Sequence, residues 1–238
     1  MRNYFITLVA LCIGLFTLKA ETNDYKLEIL DFTELQVTNN INVDYICSPD
    51  SAGYAYFSCT PEMASKLMFS NNKGNLRIQL DTDGTDSIGV PTVRVYSSSL
   101  TKAENASDST MRILSNVPVQ NFRARVVGNG LLLVNNVEAN SLEANVATGR
   151  GRVVILGGQA RQAKLSSIGT GPVEAGRLQA RKVKTILFGT GDIDCTALES
   201  LTVYGAGSGK VFYAGEPEKI VNRGLGIKVF PVSNNPVK

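Results

Sequence analysis

Between residues 128 and 221 a Gly-x-Gly signal recurs five times, each copy followed by the same apolar pattern. The copies are Gly128-Asn129-Gly130, Gly149-Arg150-Gly151, Gly169-Thr170-Gly171, Gly189-Thr190-Gly191 and Gly207-Ser208-Gly209, and their second glycines lie 21, 20, 20 and 18 residues apart. Two places after the second glycine stand Leu132, Val153, Val173, Ile193 and Val211; four places after stand Val134, Ile155, Ala175, Cys195 and Tyr213. Polar residues such as Arg152, Glu174, Asp192, Asp194 and Lys210 interleave with them, the alternation of a strand with one buried face. A third apolar column, twelve places on, runs Leu142, Ala163, Val183, Val203 and Val221. So short a unit cannot bury its apolar face alone, and copies must stack. The expected fold is all-β: a parallel β-helix of about 20 residues per rung, right-handed by the general rule for parallel crossovers. Gly130, Gly151, Gly171, Gly191 and Gly209 are assigned as structural rung glycines, suited to corners because glycine accepts positive φ.

The rest of the chain divides around this array. An apolar run from Phe5 to Leu18 behind Arg2, with Ala20 before Glu21, reads as a signal peptide over 1–20, too short to span a membrane comfortably. No later segment is apolar enough to be transmembrane. An exported protein follows, placed in the periplasm, on the outer-membrane surface or outside the cell. Residues 21–96 read as a β-rich cap region. Within it Leu35 to Tyr45 alternate, and Ser48 to Gly53 form a turn before a run from Tyr54 to Ser58. Thr60-Pro61-Glu62 opens a short helix that stops near Ser70-Asn71-Asn72. Residues 97–230 form the β-helix, its early rungs degenerate, with Asn105-Ala106-Ser107 standing where a Gly-x-Gly would. Residues 231–238 are a tail, begun by the pairing-breaker Pro231.

Composition narrows the chemistry. The chain has no His, which removes Ser-His-Asp triads, imidazole bases and His-zinc sites together. Removing 1–20 takes Arg2 and Lys19 from 24 basic residues, leaving 22 against 21 acidic ones. That balance argues against a nucleic-acid partner. Cys47, Cys59 and Cys195 remain, an odd number. A turn centred near Ser51 sets Cys47 opposite Ala55, so a Cys47–Cys59 disulfide is neither required nor forbidden.

Asn40-Ile41-Asn42-Val43, a helix-bearing segment, Asn105-Ala106-Ser107-Asp108 and the later rungs with Gly189-Thr190-Gly191-Asp192-Ile193 together resemble the auto-transporter adhesin head domain family named for a Gly-Ile-Asn motif. The resemblance covers nearly the whole of 21–238. It implies a β-helical exported protein of Gram-negative bacteria, in a family whose biochemical role is unsettled. The chain departs from the signature in carrying Asn40 where its first Gly would be. It shows no C-terminal barrel segment, so self-translocation is not expected.

Rung arithmetic singles out Arg161 with Arg181, each ten places after its glycine, and Lys164 with Lys184, each thirteen after. Each pair should stack in neighbouring rungs, making a basic strip that an anionic glycan could neutralise; the other reading is a solvated outer face. Glu174, Asp194 and Lys210 keep a glycan-processing enzyme open as an alternative, although no catalytic residue is assigned. The acidic turn from Asp81 to Asp86 reads either as a calcium loop or as a plain turn, and no metal or cofactor site is assigned. Leu131, Leu133, Val154 and Phe212 fall on nominally outward positions, which suggests a covered or homo-oligomeric face. The favoured reading is a non-catalytic, adhesin-like protein that binds an envelope or host glycan or protein, with a self-associating structural component as a further alternative.

Overall fold

The computed structural model describes residues 22–81 and 89–232. The expected export segment, most of the acidic turn and most of the tail lie outside the described residues.

The first apolar column is a line of register. Leu132 pairs in parallel with Val153, Val153 with Val173, Val173 with Ile193 and Ile193 with Val211, all fully buried. One sheet takes a strand from each turn: Leu131–Val134, Arg152–Ile155, 173–175, 193–195, Lys210–Ala214 and Lys228–Pro231. A second sheet takes Val119–Val126, Val137–Val146, Gly158–Gly169, 179–189, 200–206 and Lys219–Leu225. The long strands Val173–Gly189 and Ile193–Gly207 run from the first sheet round a corner into the second. The chain is a parallel β-solenoid of about six turns.

The third column holds only in part. Leu142, Ala163 and Val183 share a register line, but Val183 then pairs with Leu201, and Leu201 with Ile220. Val203 instead faces Thr185, and Val221 faces Thr202 on the outward side. The turn that is two residues short explains this. Its deletion is absorbed at the corner before the column, where the register shifts between Ala175 and Gln179 and again between Ala180 and Lys182.

The two glycines of each corner have different jobs. The first supplies the left-handed backbone, with φ of +126° at Gly169 and +125° at Gly189. Both are needed for space, the second for that alone, because a Cβ on Gly189 would run into the carbonyl oxygen of Gly169, one on Gly171 into that of Gly151 and one on Gly191 into that of Gly171. Positive φ is therefore not what fixes the assigned rung glycines. In the earlier turns Ser107-Asp108-Ser109, two residues beyond the expected Asn105-Ala106-Ser107, takes the corner. Asp108 Oδ1 accepts from Asn129 N at 3.2 Å, and Asn129 Oδ1 from Arg150 N at 3.2 Å, so middle residues of successive corners are strapped together.

The segment before residue 97 shares these sheets. Glu34–Thr38 pairs on one edge with Lys102–Ala106 and on the other with Asn75–Leu80. Val43–Cys47 likewise lies between Thr110–Ile113 and Val93–Ser97. The first turn in sequence is thus an interior turn in space. Asp44, buried, ties it to the next turn through Arg112, with Nε and Nη2 at 2.6 and 2.7 Å.

Two local expectations are corrected. Val43–Cys47 and Tyr54–Cys59 make no hairpin, because Val93–Ser97 inserts between them, parallel to one and antiparallel to the other. Cys47, Cys59 and Cys195 are free thiols. The helix Pro61–Lys66, capped by Thr60 Oγ1 accepting from Met63 N at 3.3 Å, ends at Lys66. Leu67–Asn72 is instead a strand that pairs with Asn75–Leu80 across Lys73-Gly74, both residues left-handed.

Gly171→Ala should destabilise the protein by about 1–3 kcal/mol, the usual cost of overpacking a close-packed site. Gly176 lies in the strand that follows that corner, Val173–Gly189, and a Cβ there would meet only Asp194 Cβ, at 3.8 Å. Gly176→Ala should stay within about 0.5 kcal/mol of wild type, both variants being measured by urea unfolding.

Candidate functional site

Parallel stacking sets equivalent side chains in rows about 4.8 Å apart, so a polar residue type repeated at one offset becomes a ladder. Lys164 and Lys184 are direct register partners. Arg161 and Arg181 occupy the same corner, since Ala160 pairs with Ala180 and Gln162 with Lys182 on either side of them. Each pair stacks, but the four residues divide between two grooves. Arg161 and Arg181 line an open groove of about 630 Å³ together with Glu138, Asn140, Gln159 and Gln179. Lys164 and Lys184 line a smaller one of about 440 Å³ further along the same strands, with Lys182, Ser200, Thr202 and Tyr204.

The corner groove is a set of planar, hydrogen-bonding groups in register. Glu138, Gln159 and Gln179 form one row, flanked by the row of Asn140, Arg161 and Arg181. Arg181 approaches Glu199 at 3.6 Å, an exposed pair that contributes little. Among the described residues Arg161 has no ion-pair partner. Both guanidinium groups therefore remain available to an acidic ligand.

The sheet groove is partly neutralised at one end. Lys164 Nζ lies 2.7 Å from Glu143 Oε1, and Arg123 Nε lies 3.0 Å from Glu143 Oε2. The hydrogen bond from Lys164, against some opposition from burial, holds the Glu143 carboxyl below its usual range. Lys184 Nζ sits 4.9 Å from the centre of the Tyr204 ring, which Arg223 also approaches at 5.7 Å. Residue counting missed Tyr204 here: it lies thirteen places after Gly191 and so falls in line with Lys184, but the register shift hands that place to Thr202. Lys182 was visible as a charge, but its place beside Lys184 follows only from the strand.

The sequence model for the family described as "Putative auto-transporter adhesin, head GIN domain" matches residues 31–217. The chain belongs to that family. Solved structures similar to this GIN domain include a putative adhesin from Bacteroides fragilis, with 20% identity, a TM-score of 0.77 and coverage of 89% of this chain and 97% of that one. A putative adhesin from Parabacteroides distasonis has 18% identity, a TM-score of 0.72 and coverage of 90% and 98%. A putative lipid binding protein from the same species has 17% identity, a TM-score of 0.66 and coverage of 90% and 98%. At such identities the likeness carries the fold. No curated protein matches the sequence.

The signature stretch of this GIN domain has a mechanical role. Asn40 sits at φ 55°, a left-handed position that asparagine tolerates in place of glycine. Its Oδ1 accepts from Asp108 N at 3.1 Å, and Asn42 Oδ1 accepts from Thr110 N at 3.0 Å. The stretch pins the first turn to the second while Ile41 fills the core.

The carboxylates considered for catalysis lie away from both grooves, on the other sheet. Glu174 and Asp194 are register partners, as expected from their spacing, but Arg152 Nε binds Glu174 at 3.0 Å, and Asp192 Oδ1 accepts from Lys210 N at 2.8 Å. The outward row continues through half-buried Phe212 to Phe230, whose rings stack at 5.7 Å. Leu131, Leu133 and Val154, earlier on this sheet, are also half-buried.

Asp194 has its carboxyl raised by burial, then by the neighbouring charges of Glu174 and Asp192. A carboxyl raised in the folded state opposes folding wherever it is ionised, and the penalty disappears once pH falls below both its folded and unfolded values. Asp194→Asn should raise the urea midpoint at pH 7 and lose that advantage below about pH 3.

Proposed function

We propose that this GIN domain is a non-catalytic, adhesin-like binding module, exported through residues 1–20, that recognises an acidic glycan of the cell envelope or of a host surface. The observation that carries the reading is the corner groove, where Arg161 and Arg181 stack beside the row of Glu138, Gln159 and Gln179. Planar amides and a carboxylate can share hydrogen bonds with sugar hydroxyls, and a guanidinium presents a fork that matches a carboxylate or sulfate. The row spacing of about 4.8 Å lets successive sugar units meet equivalent side chains. The adhesin family supports the binding role. Non-catalytic action is supported by the tethering of Glu174 by Arg152 and by the place of Glu174 and Asp194 on the other sheet, which leaves Glu138 as the one carboxylate among the residues lining the corner groove.

The test is binding of the processed, exported protein to neutral and acidic polysaccharides, with salt varied and reducing ends monitored. Acidic chains should bind, bind more weakly as salt rises, and release no fragments. Arg161→Ala with Arg181→Ala should weaken binding at least about tenfold, since hydrogen bonds to charged groups contribute about 1.5–3 kcal/mol each. Preference for neutral chains, or binding untouched by the double variant, would sink the assignment of the corner groove; fragment release would bring the enzyme alternative forward.

A further inference from the structure

The sheet that carries Lys164 and Lys184 has a second ordered feature that the glycan reading leaves unused. Ile168 pairs with Phe188, Phe188 with Ala206 and Ala206 with Leu225, making a row across four strands. The three large members are 47%, 50% and 77% exposed in that order, so the row stands in solvent. Four residues separate Ile168 from Lys164 and Phe188 from Lys184 along their strands, which puts the apolar row and the lysines on one face. Between them runs the row that holds Tyr204 and Arg223.

The charge on this face is one-sided. The outward positions of the four strands toward the apolar row hold Lys164, Lys182, Lys184, Lys219 and Arg223 and no carboxylate, and Glu143 on the next strand neutralises Lys164 alone among them. The residues after 20 are nearly balanced overall, so this is local segregation. An apolar row roughly 14 Å long, bordered by cations, faces a partner that is itself anionic on one side and apolar beneath. A second copy of the same face offers the lysines only Glu143, which already holds Arg123 and Lys164. A soluble glycan can stack a sugar face on Phe188 but offers no continuous apolar surface to the whole row of Ile168, Phe188 and Leu225.

We propose that this face docks on an anionic lipid surface, with the cations on headgroup phosphates and the Ile168–Phe188–Leu225 row entering the acyl boundary. The Tyr204 ring lies between the two, the depth at which an amphipathic aromatic side chain is most favourable. The surface is separate from the corner groove, so the two bindings can be lost independently.

The test is co-sedimentation of the processed, exported protein with vesicles of phosphatidylcholine alone and of phosphatidylcholine with an equal amount of phosphatidylglycerol, at low and raised salt. The protein should partition onto the mixed vesicles only, and less so at high salt. Lys182→Ser with Lys184→Ser should weaken partitioning roughly thirtyfold, at the usual contribution of a lysine near an anionic surface. Phe188→Ser with Leu225→Ser, at exposed sites that leave folding intact, should weaken it about tenfold, while Arg161→Ala with Arg181→Ala should leave it unchanged. Equal partitioning onto both vesicles, or partitioning that survives both serine pairs, overturns the proposal. So does a lysine variant that loses polysaccharide binding and keeps vesicle binding, which would make the face a second sugar site.

Discussion

The backbone at each Gly-x-Gly corner approaches the corner of the turn before it more closely than any side chain allows. Gly151 N donates to Gly128 O at 2.9 Å, and Thr190 N to Gly169 O at 2.9 Å, so the corners themselves are hydrogen-bonded from turn to turn. Much else depends on that contact. It fixes the stacking distance, which brings Leu132, Val153, Val173 and Ile193 into one fully buried column, and it fixes the register, which turns a repeated side chain into a ladder. Where no glycine is present, in the turns that contain Asn40 and Asp108, side-chain amides and carboxylates do the strapping instead.

The same register explains how a nearly neutral chain makes charged surfaces. Sequence distance scatters Arg161 from Arg181 and Lys164 from Lys184, and stacking brings each pair within one strand spacing. Like charges so arranged are mildly unfavourable unless something neutralises them. Glu143 does this for Lys164 and the Tyr204 ring in part for Lys184, whereas among the described residues the corner arginines have as ion-pair contact only the long, exposed one from Glu199 to Arg181. The surplus is greatest where a ligand could supply the missing charge.

How much could be read in advance depended on whether a feature was periodic. The fold and its first two apolar columns follow from the Gly-x-Gly period. Lys164 and Lys184 stack as their offsets require. What could not be read follows from non-local pairing. Val93–Ser97 slots between strands that are neighbours in sequence, so the apparent hairpin around Ser51 does not form. Two missing residues after Gly191 move Leu201 into the place reserved for Val203 and bring Tyr204 diagonally onto Lys184. The division of the four basic residues between two grooves also needed the corner near residue 161, where the strand bends and carries Arg161 and Lys164 to different sides.

Native-state hydrogen exchange of the corner amides tests the account most directly. If turn-to-turn corner bonds set the stacking, the amides of Gly151, Arg152, Thr190 and Gly191 should be as protected as those of the buried columns and should exchange with them in one cooperative opening. Corner amides that exchange at the rate of free loops, while the columns stay protected, would contradict it, because the stacking would then rest on side-chain packing alone.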